Sequence, residues 1–260
     1  MPGQLAGKVA VITGSGRGQG LAAAMLFAAE GARIVINDLD DGSVRTAVEA
    51  VRSAGGQAVG VAGDVSVAAD VQRVLSRAAE AYGGIDILYN NAGIGYSATR
   101  RMGVGMDDIV SCTIEDWHRI LDINLGGVFL FCKFGIPMLI ERGGGSVINT
   151  ASVAALKGSR NAHAYAASKG GIVALTRAMA VTYGRNGVRV NAICPGVIDT
   201  DMIHETLLGS DAQTTAIQRM TPMARIGTAD DIARMALFLA SDAGAFVTGQ
   251  AIPVDGGVTA

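Results

Sequence analysis

Short apolar runs alternate with longer amphipathic segments almost from the first residue. Val9-Ala10-Val11-Ile12 predicts a buried strand, and an alanine-rich helix follows it from about Gly18 to Glu30. The beat repeats with a strand at Ile34-Val35-Ile36 and a helix over Asp40 to Ala54, then a strand at Ala58 to Val61 and a helix over Val67 to Tyr82. Ile85 to Leu88, Ser146 to Asn149 and Val188 to Ile193 supply a fourth, fifth and sixth strand. Ala251 to Val254 adds a seventh, which Pro253 confines to a sheet edge or a strand end. The early strands are apolar at consecutive positions, so helices must cover both of their faces, as in a parallel α/β sheet. No Pro/Ser-rich linker divides residues 1–260, and one domain is expected.

Two stretches leave this rhythm. Residues 94–113 form a Gly/Met/Arg-containing insertion after the fourth strand, and residues 196–228 a second excursion after the sixth. Both leave the carboxyl ends of parallel strands, where open α/β sheets bind ligands. The first is either part of such a site or a surface loop. In the second, Met202, Ile203, Leu207 and Leu208 either form an apolar lid or simply pack; Met106 and Trp117 near the first are equally open.

Composition narrows the function classes. Half of the residues are hydrophobic, ample for one large core. A formal charge of -2, with no basic cluster longer than Arg100-Arg101, argues against nucleic acid and anionic membranes as partners. Cys112, Cys132 and Cys194 are far apart, and His118, His163 and His204 lack metal-ligand spacing, so neither a disulfide framework nor a metal site is expected. The amino terminus lacks a signal-peptide layout, and Leu125 to Ile140, broken by Lys133 and Pro137, reads as too short to span a bilayer. A soluble, cytoplasmic protein is expected.

The chemistry starts at Thr13-Gly14-Ser15-Gly16-Arg17-Gly18-Gln19-Gly20, directly after the first strand and opening the first helix. Glycines there let the backbone approach a pyrophosphate, and the helix terminus offers it free N–H groups. The spacing is not Gly-x-Gly-x-x-Gly, because Gln19 stands where the third glycine belongs. Asp38, at the end of the second strand, can accept hydrogen bonds from both adenosine ribose hydroxyls and repel a 2′-phosphate, which favours NAD over NADP. Arg17 either pairs with such a phosphate or is a solvated loop residue. The strand order and turn together predict a doubly wound, Rossmann-type sheet of about seven strands.

Tyr165-Ala166-Ala167-Ser168-Lys169 places a phenol and an ammonium at i and i+4 on a predicted helix from about Ala162 to Tyr183. A free phenol titrates near ~10, and a neighbouring cation favours the phenolate, which makes tyrosine a usable acid/base.

These residues resemble the short-chain dehydrogenase/reductase family, whose signatures occur in order over essentially the whole chain. Thr13-Gly14 through Gly20 is similar to its cofactor motif. Asp64-Val65 resembles its adenine-contacting pair, Asn90-Asn91-Ala92-Gly93 its turn bordering the cofactor, and Pro195-Gly196-Val197-Ile198-Asp199-Thr200 the segment around the nicotinamide carboxamide. Val254-Asp255-Gly256-Gly257 resembles its carboxyl-terminal ending. The resemblance implies that Ser152 hydrogen-bonds the reacting oxygen, Tyr165 moves its proton, Lys169 tunes Tyr165 and binds the nicotinamide ribose, and Asn124 holds a water linking Lys169 to solvent. From the residues alone, Ser152 also fits a cap, and Asn124 a structural hydrogen bond at a helix distortion. A homotetramer and a secondary alcohol or ketone as small-molecule substrate are implied too. Rival readings are an NADPH-dependent 3-oxoacyl-carrier-protein reductase, which Asp38 opposes, a same-fold epimerase or dehydratase, and a non-catalytic binding protein, which need not keep Ser152, Tyr165 and Lys169 together.

Overall fold

The computed structural model describes residues 3–95, 102–200, 203 and 210–260. Its strands are β1 (Val9–Thr13), β2 (Arg33–Asp38), β3 (Gln57–Ala62), β4 (Ile87–Asn90), β5 (Gly145–Thr150), β6 (Val188–Pro195) and β7 (Ala251–Val254). They form one sheet in the order β3-β2-β1-β4-β5-β6-β7, every pairing parallel. The chain winds outward from β1 through β2 to β3, then crosses to β4 and winds the other way. The reversal between β1 and β4 opens a crevice at their carboxyl ends.

Successive residues of β1 feed opposite layers. Val9 and Val11 join the core beneath α3 (Ala68–Tyr82) and the helices after β4 and β5, including Leu75, Leu88, Phe131 and Ile172. Ala10 and Ile12 join the other layer, with Phe27 of α1 (Gly18–Ala29), Val51 of α2 (Asp41–Ser53) and Leu239 of a helix near the carboxyl terminus. Burial on both faces is why these strands read as unbroken apolar runs. Pro253 lies on β7, an edge strand whose outer side needs no ladder donor.

Most strand ends shift by one or two residues from the pattern, and two departures have a clear physical reason. The fourth strand starts at Ile87, not Ile85, because the Asp86 carboxylate accepts the Val9 N–H at 2.8 Å and pairs with Arg142 at 3.1 Å. The apolar run around Leu125 to Ile140 is also not short or broken. It belongs to a continuous 28-residue helix, Ile114–Glu141, long and apolar enough by length and composition to cross a membrane. Its parts are α4 (Ile114–Leu121), a π-helical turn (Asp122–Gly126) and α5 (Gly127–Glu141). Pro137 is tolerated because it and Lys133, whose carbonyl loses its partner, both face solvent. Val128, Phe131, Ile136 and Leu139 bury the opposite face against the sheet, as in a core helix.

Among the described residues, three further α-helices are α6 (His163–Tyr183), α7 (Asp211–Met220) and α8 (Ala229–Ala240), the last opened by a capping box between Thr228 and Asp231.

Candidate active site

A cleft of 310 Å³ lies along the carboxyl ends of the strands. Its floor begins at the turn after β1. Gly14 sits at φ +61°, and a Cβ there would come within 2.8 Å of Ala92 Cα. At Gly20 a Cβ would lie 2.2 Å from the Gly14 carbonyl oxygen and 2.8 Å from Ser15 Cα, so only glycine lets α1 start this close to the turn. Gly20, one place after Gln19, therefore does the packing job of the missing third glycine. Arg17, the residue before α1, supplies no side-chain cap, which leaves the helix's first N–H groups facing an incoming anion. The Gln19 side-chain oxygen is buried beside the cleft with no hydrogen-bond partner.

Asp38 lines the cleft beyond this turn. Its Oδ2 accepts the Gly16 N–H at 3.0 Å and its Oδ1 the Leu39 N–H at 2.8 Å, which fixes the carboxylate at the end of β2. Asp40 is held below the usual carboxylate range first by its hydrogen bonds from Ser43, with a smaller contribution from the nearby Arg17 guanidinium.

Most of the expected cofactor residues meet in this one cleft. Gly14, Arg17, Gly18, Gln19, Asp38, Asp64, Val65, Asn91, Ala92, Gly93, Pro195, Gly196, Ile198 and Thr200 all line it, with Ser152, Tyr165 and Lys169. Three expected residues stand behind the wall. Ser15 is fully buried and donates to the Ile12 carbonyl at 2.6 Å, and Gly16 and Gly20 shape the turn without lining the cleft. Asn91 lines the cleft but turns its amide nitrogen inward, to the carbonyls of Thr13 and Gly14 at 3.2 and 3.0 Å.

Lys169 enters from α6, 4% exposed, and donates to the Thr150 carbonyl at 2.8 Å. Its ammonium lies 5.7 Å from the centroid of the Tyr165 ring. Burial lowers its pKa to about 8. Behind the site, burial pushes the Cys194 thiol up to about 11, against a smaller lowering from the nearby Ser152 backbone N–H. Ser152 precedes a short 3-10 turn and its hydroxyl oxygen accepts the Ala154 N–H at 3.1 Å, so it is a cap as well as a cleft residue.

Asn124 sits in the π-helical turn, a distortion of the kind its polarity suggested. Its side chain is fully buried. It accepts the Ile94 N–H at 2.8 Å and donates to the Ile94 carbonyl at 3.0 Å and to Ser168 Oγ at 3.2 Å. Ser168 Oγ in turn donates to the Tyr165 carbonyl at 2.7 Å. Asn124 thus ties the loop after β4 to the helix carrying Tyr165.

Residue patterns missed Asn37, Leu39, Gly63, Ile94, Met102, Ile123, Thr150 and Ala151 as cleft residues. For all but Met102, in the insertion, and Ile123, in the π-helical turn, the position at or just after a strand end was the available signal, but their apolar or backbone contributions look like ordinary packing. Ile203 lines the cleft as expected of a lid, while Met202, Leu207 and Leu208 lie outside the described residues. Trp117 and Met106 pack beside Tyr165 in a small cluster around Val104 and Ile120.

A family model described as Enoyl-(Acyl carrier protein) reductase matches residues 14–259. The 2-(S)-hydroxypropyl-CoM dehydrogenase 3 of Xanthobacter autotrophicus is 40% identical, with all of both chains covered. The 3beta-hydroxysteroid dehydrogenase 1 of Eggerthella lenta is 38% identical over 98% of this chain and 95% of the relative. A solved 7 alpha-hydroxysteroid dehydrogenase, complexed with NADH and 7-oxo glycochenodeoxycholic acid, superposes with a TM-score of 0.90 at 33% identity, covering 97% of this chain and 94% of that one. A match this continuous, in sequence and in fold, places the chain in the short-chain dehydrogenase/reductase family, as an oxidoreductase acting on alcohols and ketones.

Proposed function

We propose that this protein is an NAD-dependent dehydrogenase of secondary alcohols with an apolar body, with residues 1–260 forming one dinucleotide-binding and catalytic unit. The observation that carries the reading is the convergence on one cleft of the glycine turn, Ser152, Tyr165 and the buried Lys169 ammonium. The chain's own features fit a dinucleotide. The glycine turn makes a cradle that a Cβ would fill, Gln19 carries an unpartnered buried oxygen, and Asp38 stands ready as a ribose acceptor. Asp38, with Asp40 near Arg17, supports NAD over its 2′-phosphorylated form.

When bound, a nicotinamide ring supplies a two-electron hydride acceptor or donor. Ser152 donates a hydrogen bond to the reacting oxygen and steadies charge that develops there. Tyr165 Oη takes the hydroxyl proton during oxidation and returns one to the oxygen during ketone reduction. Lys169 supplies the positive charge that favours the phenolate, and its anchorage on Thr150 holds it in place. Asn124 braces the loop after β4 and α6 through its side chain. Ile94, Met102, Ile123 and Ile203 supply the cleft's apolar wall, which suits a substrate with hydrophobic bulk. The relatives' names, for a hydroxypropyl-CoM and a hydroxysteroid, agree with a hydroxyl-bearing substrate. The family model's acyl-carrier-protein description leaves an NADPH-dependent reductase as the rival, against which Asp38 stands.

Exposed Phe129 on α5 and Val181 on α6 offer apolar surface for the homotetramer of this reading. The deciding experiment is a screen of secondary alcohols and ketones with NAD and NADP in parallel, repeated with Tyr165→Phe. Turnover should vanish in the variant while NADH still binds; undiminished NADH production would refute the assignment.

A further inference from the structure

The catalytic helix α6 begins without a side-chain cap, on Ala162, a non-glycine residue in the left-handed region at φ 60°. Such a start needs support from elsewhere, because the first N–H groups of a helix have no partner within it. The support comes from the insertion after β4. The Met106 carbonyl accepts the Ala162 N–H and the Asp107 carbonyl accepts the His163 N–H, each at 3.2 Å. Tyr165 follows within the same turn, so the placement of its phenol depends on those two carbonyls.

Residues 102–107 of the insertion are held by two charged side chains of α4, of which Arg119 donates to the Met102 carbonyl at 3.5 Å. Asp116, in the first turn of α4, accepts the Gly105 N–H at 3.0 Å through Oδ2. Val104, fully buried, packs beside this bond against Ile120 and Ala164. Residues 104–107 thus form a strut from α4 to the start of α6.

We propose that Asp116 is a positioning residue for Tyr165: by holding Gly105 it sets the Met106 and Asp107 carbonyls that cap the catalytic helix. The proposal rests on the reading of Tyr165 as the acid/base, and its test separates the two. Asp116→Ala, Asp116→Asn and Tyr165→Phe are made in the full chain. Hydrogen exchange of the ligand-free proteins is followed by mass spectrometry over residues 160–170, together with NADH binding and kcat for a secondary alcohol that the wild type oxidises.

Asp116→Ala should speed exchange at the start of α6 by about tenfold, the loss of roughly one hydrogen bond. Exchange in β1 and α1 and NADH affinity should stay as in the wild type, while kcat drops by about tenfold or more as the phenol loses its alignment. Asp116→Asn keeps an acceptor oxygen and should restore both readouts. Unchanged exchange over residues 160–170, or faster exchange throughout the protein, would overturn the proposal, as would failure of Asp116→Asn to restore. Wild-type turnover by Tyr165→Phe would sink the acid/base assignment instead, leaving the exchange result to judge the strut.

Discussion

Replacing Lys169 by methionine should make the ligand-free protein more stable at neutral pH while removing its activity. The wild-type ammonium is 4% exposed, has the Thr150 carbonyl as its hydrogen-bond acceptor, and titrates at about 8 instead of the usual 10.5. Below pH 8 it is charged in the folded and unfolded chains alike, and the folded state carries the whole cost of burying it. Between 8 and 10.5 the folded protein releases the proton that the unfolded chain still holds, so wild-type stability rises with pH across that window. The gap, at about 1.4 kcal/mol per pH unit, amounts to about 3 kcal/mol at pH 7 and shrinks to about 1.4 kcal/mol at pH 9.5. Cys194 does not cancel it, because its thiol stays neutral until about 11, above the range in which Lys169 is charged.

Methionine keeps an unbranched side chain, one atom shorter, and removes the charge, but leaves the Thr150 carbonyl unpaired, at about 1–2 kcal/mol. Lys169→Met is therefore expected to gain about 1–2 kcal/mol at pH 7 and to lose that advantage near pH 9.5. Urea unfolding followed by circular dichroism at both pH values measures the difference. The change between the two, about 2 kcal/mol, does not depend on the carbonyl term. A variant less stable than wild type by one constant amount at both pH values would refute the reasoning.

Two further substitutions probe the cofactor end of the cleft. Gly20→Ala drives a methyl group into the Gly14 carbonyl and Ser15 Cα, so α1 must retreat. Urea unfolding should show a loss of about 1–3 kcal/mol and NADH fluorescence titration a Kd raised about tenfold or more; a Kd within twofold of wild type would count against the cradle. On the proposed reading, Asp38→Ala removes both the ribose acceptor and the charge facing a 2′-phosphate. The ratio of kcat/KM for NAD to that for NADP should fall by about tenfold or more, and an unchanged ratio would move the preference to other residues.

The sequence carried the alternation of strands and helices because the sheet's burial on both faces writes itself into consecutive apolar positions such as Val9 to Ile12. It carried the glycine turn, Asp38 and the Tyr165/Lys169 pair for a different reason. Each requires particular residue types at fixed spacing, and nearby residues satisfy most of the requirement. Strand ends were less legible. Asp86 sits in an apolar run yet belongs to the connection, since its carboxylate is used by Val9 and Arg142 from distant parts of the chain.

What only the tertiary structure decided are the relations between segments far apart in sequence. Asn124 reads as one polar residue in an apolar helix; its bonds to Ile94 and Ser168 exist only once a π-helical turn brings three elements together. The insertion at residues 94–113 has no periodicity that reveals its role, because Met106 and Asp107 act through backbone carbonyls that any residue could supply. Side-chain chemistry and local spacing are written in the residue order. Backbone hydrogen bonding between remote segments, and the desolvation that lowers Lys169, arise only when the chain closes around them.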